Sequence, residues 1–164
     1  MSLVKLVSVA CLGLALGLNG QPQLVAQQPI AQDTLITLRR TNCFYTCPDY
    51  LVSISADGTV NYEGYANVKV KGKAKTQIPP EKVHSLVGAF VKAKYFSLRD
   101  SYSLPEDGCK IYNQDVDSAI TSITINGKSK SVSHYLGCYR RHLKALFELE
   151  NKIDEVANTK QWID

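Results

Sequence analysis

Asn126-Gly127 divides two runs of alternating character, Ala119 to Ile125 and Lys128 to Tyr135. An Asn-Gly pair in that setting is the strongest short-range hairpin signal, because both central residues of the turn must take positive φ and these two types tolerate it best. A two-residue loop places Ile123 and Ile125 on the same face as Val132. A second hairpin centres on Asp57-Gly58. There a two-residue loop would set Ile54 opposite Asn61, whereas a three-residue loop, Ala56 to Gly58, sets Ile54 opposite Val60 and Val52 opposite Tyr62. Matching apolar partners selects the longer loop, with Gly58 left-handed.

The other elements fall around these hairpins. Leu35 to Leu38 and Tyr50 to Ile54 read as strands, and Val68 to Lys75 alternates throughout, which predicts a fourth. Pro79-Pro80-Glu81 opens a helix, since proline suits the first turn and an acid there suits the dipole. Val83, Leu86, Val87, Phe90 and Val91 then recur at the helical period. Tyr95 to Leu98 leaves the helix and packs, and Arg99 to Ser118 is a polar loop long enough to imply a function, a staple or disorder. A last helix from about Arg140 to Ala157 buries Leu143, Leu146, Phe147, Ile153 and Val156, with Trp162 closing the end of the core. The order ββββαββα predicts an α+β domain: a single antiparallel sheet of about six strands with two helices packed on one face.

Lys5, the apolar stretch Leu6 to Leu18 and the polar Asn19 to Pro22 have the three-part build of a secretory signal. The apolar stretch falls short of the roughly 20 residues that span a bilayer. Cleavage is expected after Ala26, leaving 27–34 as a flexible tether and 35–164 as one domain. Ser8-Val9-Ala10-Cys11 has serine where a lipobox needs leucine, which disfavours lipidation. Of the 19 basic residues only Lys5 lies in the leader, so 18 remain against 15 acidic ones, a formal charge of +3. Such a balance, without interleaved aromatic and basic residues, excludes a nucleic-acid binder. The processed chain is expected to be a monomer with no membrane span, exported to a periplasm or beyond the cell.

Four cysteines remain after the leader, which allows three connectivities. Cys43 and Cys47 lie close together around a turn, while Cys109 and Cys138 bracket the second hairpin, so these two pairings are preferred. The chain-entropy model gives about 2 kcal/mol for the first loop and about 3.6 kcal/mol for the second.

Cys43-Phe44-x-x-Cys47-Pro48-x-Tyr50, Asp57-Gly58-Thr59-Val60-x-Tyr62-x-Gly64, Phe96-x-Leu98-x-Asp100-x-Tyr102 and Ile123-x-Ile125-Asn126-Gly127-Lys128 follow one another along the chain. Together they resemble a family of exported bacterial proteins known only as a domain of unknown function, over about residues 35 to 163. The resemblance implies one domain and export, and it implies no activity. Cys109 and Cys138 lie outside its pattern.

Cys43-x-x-x-Cys47-Pro48 also resembles the motif of Sco-type copper chaperones, where two soft thiolates and a distant histidine hold Cu(I). Those proteins are thioredoxin-like, with the motif at a strand-to-helix junction, whereas strand residues Tyr50 to Ile54 follow it here. A structural staple is therefore the preferred reading, with a thiol-redox or copper-binding protein as the alternative. His84, His134 and His142 lack the i, i+4 spacing of a helical metal site, and His134, four residues before Cys138, is the one to watch. No metal or cofactor is expected. Lys69, Lys71, Lys73 and Lys75 would share one side of their strand, where they either guard an edge or bind an anion. Glu106, Asp107, Asp115 and Asp117 lack the ligand spacing of a calcium loop. Neither a phosphate-binding glycine loop nor a GxSxG elbow occurs, so an enzyme is unsupported; a hydrolase would need a deep polar pocket beside Asp100, Tyr102 and Asp115. The preferred function is a non-enzymatic exported domain that binds a protein or an anionic envelope component.

Overall fold

The computed structural model describes residues 29–109, 113–138 and 141–164, residue 142 by its backbone alone. The predicted leader, Met1 to Ala26, lies outside these residues, as does the predicted helix start at Arg140. The strands are β1 (Leu35–Arg40), β2 (Asp49–Ser55), β3 (Thr59–Ala66), β4 (Gly72–Gln77), β5 (Ser101–Tyr102), β6 (Ser118–Ile125) and β7 (Lys128–Tyr135). The helices are α1 (Pro80–Lys92), α2 (Lys144–Ala157) and the single turn α3 (Lys160–Ile163).

Both hairpins take the registers that their apolar residues require. Ile54 faces Val60 and Val52 faces Tyr62, while Ile125 faces Lys128 across Asn126-Gly127. Asn126 and Gly127 have φ of 52° and 70°, and the Asp33 carboxylate accepts both of their N–H groups at 2.9 and 2.6 Å. Gly58 sits at φ +82°, and a Cβ there would lie 2.1 Å from the carbonyl oxygen of Ile78, so this loop has room only for glycine.

Among the described residues the strands form one sheet, in the order β4-β3-β2-β1-β6-β7-β5. Seven strands stand where about six were expected, because Ser101–Tyr102, within the long polar loop, pairs in parallel with Ser133 and His134 at the edge. Every other pairing is antiparallel. The fourth strand also begins later than its alternation predicts. Asn67 at φ 53° and Gly72 at φ +81° bound a bend, within which the Val70 N–H donates to the Trp162 carbonyl at 2.9 Å and the Tyr62 hydroxyl donates to the Val70 carbonyl at 3.3 Å. Val68 and Val70 are thereby drawn toward the Trp162 end of the core instead of pairing with β3.

Burial alternates along β1, β2, β3 and β6, as a sheet with one covered face requires. Ile36, Leu38, Val52, Ile54, Val60 and Ile123 join Val83, Leu86 and Phe90 of α1 and Leu146, Leu149 and Ile153 of α2 in one core. Tyr50, Tyr62 and Trp162 stack in sequence, with ring centroids 5.8 and 4.6 Å apart, and close that core at one end. Two predicted core residues stand outside it: Val91 and Phe147 are exposed, each on the solvent flank of its helix. At its far edge the Tyr95 hydroxyl reaches the Thr121 carbonyl at 2.8 Å, anchoring the chain as it leaves α1. The opposite face of the sheet carries Thr37, Arg39, Leu51, Ser53, Asn61 and Glu63, all half-buried or exposed.

Candidate functional site

The turn between β1 and β2 is closed by a disulfide joining Cys43 to Cys47, whose Cα atoms lie 5.4 Å apart. The Cys47 N–H points at the Cys43 sulfur at 3.3 Å, and Asn67 Nδ2 donates to the Cys47 carbonyl at 3.1 Å, tying this turn to the β3–β4 bend. So constrained, the ring turns its two intervening aromatics outward: Phe44 is 79% and Tyr45 73% exposed, packed edge to face at 5.3 Å. Beside them Arg39 pairs with Asp49 and lies over the half-exposed ring of Tyr65, 4.2 Å from its centre. Bonded sulfurs have no thiolate to give a metal or a substrate. Among the described residues no three His, Cys, Asp or Glu side chains converge as metal ligands.

The uncovered face of the sheet forms a second candidate. Its register aligns Lys75, Asn61, Ser53, Thr37, Ser122 and Ser131 in one row across six strands, all of them hydrogen-bonding side chains. Thr37 and Ser122 bond each other at 2.6 Å. At the β4 side of this row lies a shallow cleft of about 430 Å³ lined by Leu51, Ser53, Asn61, Glu63, Lys73 and Lys75. Of the four predicted lysines only Lys73 and Lys75 stand on β4; Lys69 and Lys71 belong to the preceding bend, which breaks the expected single row. All four are exposed.

The third candidate is internal. His134, buried on the Val132 face of β7, holds Glu150 of α2 with Nδ1 at 2.9 and 3.1 Å from the two carboxyl oxygens. Its Nε2 lies 3.4 Å from the Cys138 carbonyl. Burial pushes the Glu150 carboxyl above the usual range, against the opposing pull of His134. One turn further along α2, Asp154 accepts from Arg40 Nε and Nη2 at 3.2 and 3.0 Å, from the Tyr50 hydroxyl at 2.6 Å and from Thr159 at 3.0 Å. Burial opposes the Arg40 charge, but Asp154, Tyr50 and Glu150 together outweigh it and hold the guanidinium more firmly protonated. The hydroxyl of Tyr50 is pushed up by the same burial and by the Asp154 charge. These pairs bolt α2 to the sheet and satisfy each other, which is the requirement for buried charge.

Sequence reasoning passed over Glu150, Arg40 and Asp154. Glu150 did leave a signal, since it occupies the same helical stripe as Leu143, Leu146 and Ile153, where an acid demands a partner. A second disulfide, Cys109 to Cys138, fixes the long loop beside this pair. Next to it, a cleft of about 350 Å³ is lined by His134, Leu136, Cys138, Leu143 and Phe147.

The remaining candidates do not assemble. His84 is half-buried on α1, and His142 falls in the turn before α2 with its side chain outside the described residues. Asp107 accepts from the Ser101 hydroxyl and from the N–H groups of Ser103 and Leu104, at 2.8, 3.1 and 3.2 Å, and so serves as a turn cap. Glu106 and Asp115 point to solvent, and Asp117 is half-exposed. Asp100 pairs at the surface with Lys130, whereas the Tyr102 ring is buried against the core, so these two do not line a common polar pocket. No helix among the described residues is long and apolar enough to cross a membrane. A family model described as a domain of unknown function (DUF6438) matches residues 34–157. No curated protein matches the chain.

Proposed function

The chain belongs to the DUF6438 family, and we propose that it is an exported, non-catalytic domain that binds an anionic polymer of the cell envelope through the uncovered face of its sheet. The observation that carries this reading is the asymmetry of the sheet. One face is filled by α1 and α2, while the other presents a continuous row of hydroxyl, amide and ammonium groups ending in the Lys73–Lys75 cleft. A flat polar row supplies many modest hydrogen bonds along an extended chain, and Lys73 and Lys75, offset in part by Glu63 opposite Lys73, leave the cleft with a net positive charge that attracts an anion. Export is supported by the leader pattern and by two disulfides, which persist in oxidising compartments.

The thiol or copper reading loses its chemistry once Cys43 and Cys47 are joined. Calorimetric titration with a soluble uronate polysaccharide tests the proposal. Lys73→Ser with Lys75→Ser should weaken binding at least about tenfold and reduce its salt dependence. Equal affinity of wild type and variant would remove the sheet face as the site.

A further inference from the structure

Away from the sheet face, the tip formed by Phe44 and Tyr45 has no part in the fold or in the polymer site. Two adjacent aromatics more than 70% exposed, inside a ring closed by a disulfide, make no contact with the core. Exposed aromatics held rigidly mark a contact site, because they lose little conformational freedom on docking. What surrounds them identifies the partner. The Asn67 bond to the Cys47 carbonyl brings the β3–β4 bend against this turn, and that bend carries Lys69 and Lys71, both exposed. Among the described residues neither lysine forms a salt bridge. Asp49, at the start of β2, is paired with Arg39.

Protein–protein interface cores are enriched in aromatics and depleted in lysine, whereas a bilayer surface rewards both at once: rings settle at the headgroup boundary and ammonium groups meet anionic lipid. We infer that this end of the molecule docks on an anionic lipid bilayer, Phe44 and Tyr45 entering the interface and Lys69 and Lys71 lying on the headgroups. The contact is peripheral and reversible. It leaves the uncovered face of the sheet, which runs away from this end, open to a second ligand. The disulfide serves the contact by holding the two rings outward as a pair.

The test uses the chain as an exporting host releases it, its N-terminus established by mass spectrometry, and co-sedimentation with vesicles of phosphatidylglycerol and phosphatidylcholine or of phosphatidylcholine alone. Binding is expected to the anionic vesicles and to fall with added salt. Replacing Lys69 and Lys71 by Ser should weaken it about 25-fold, at roughly fivefold for each lysine. Phe44→Ser with Tyr45→Ser should abolish sedimentation while far-ultraviolet circular dichroism and the thermal midpoint stay unchanged. Lys73→Ser with Lys75→Ser, the variant that tests the sheet face, should leave vesicle binding intact. Failure of wild type to sediment with anionic vesicles, equal sedimentation of the aromatic variant, or binding to a soluble polyanion that depends on Phe44 and Tyr45 would each overturn the inference.

Discussion

Replacing Asp154 by Ala strikes the point where α2, β1 and β2 are joined. Among the described residues Arg40 then keeps only the Asn151 side-chain oxygen at 3.2 Å as an acceptor, with its side chain otherwise buried. Breaking a buried pair from one side costs about 3–5 kcal/mol, and since Asp154 retains 21% side-chain exposure the lower end, about 3 kcal/mol, applies. The Tyr50 hydroxyl also loses its 2.6 Å acceptor, adding about 1 kcal/mol. A total of about 4 kcal/mol corresponds to a fall of about 10–15 °C in Tm for a domain of this size. Urea unfolding followed by tryptophan fluorescence reads it directly, because Trp162 stacks on Tyr62 beside this network. Tyr50→Phe alone should cost only about 1 kcal/mol. Arg40→Met added to Asp154→Ala should restore more than half of the loss, since it removes the stranded charge. A loss below about 1 kcal/mol for Asp154→Ala, or no recovery in the double variant, would refute the view that a buried charge pair fastens the helix to the sheet.

Glu150→Gln tests the other buried acid by its pH dependence. Burial holds the Glu150 proton to higher pH than the ordinary 4.5, so the folded state binds more protons than the unfolded one in that window and wild-type stability declines as pH rises through it. Gln mimics the protonated form, and the variant should therefore gain on wild type in urea midpoints as pH rises above the ordinary carboxyl range; a gap that moves the other way would mean a depressed carboxyl. Gly58→Ala should destabilise by more than about 1 kcal/mol, because φ +82° and the 2.1 Å approach to the Ile78 carbonyl leave a methyl group no place. A thermal midpoint within a degree of wild type would contradict that geometry.

Local pattern read the hairpins and α1 well, for a physical reason: at Ile54–Val60 and at Asn126-Gly127, turn chemistry and face matching point to the same register. What the pattern missed was settled by distant partners. Ser101–Tyr102 is too short to announce itself, and becomes a strand only because β7 offers a free edge. Val68 to Lys71 alternates like a strand, yet Trp162, almost a hundred residues away, draws Val70 out of the ladder. Phe147 and Val91 fit the helical period on paper but sit at the flank of a stripe whose centre is set by Leu146, Ile153, Leu86 and Phe90. The polar core was legible in part. Glu150 interrupts an apolar stripe, whereas nothing near Arg40 in the sequence points to Asp154, 114 positions later.

In this molecule the cysteines hold two surface segments in place, Cys43 with Cys47 at the β1–β2 turn and Cys109 with Cys138 at the long loop. Peptide mapping of the natively released protein, without reduction, tests that most directly. Cys43 should be found linked to Cys47 and Cys109 to Cys138, with none of the four as a free thiol. Cys43 and Cys47 recovered as free thiols, or with bound copper, would contradict it and return the site to the β1–β2 turn as a centre of sulfur chemistry.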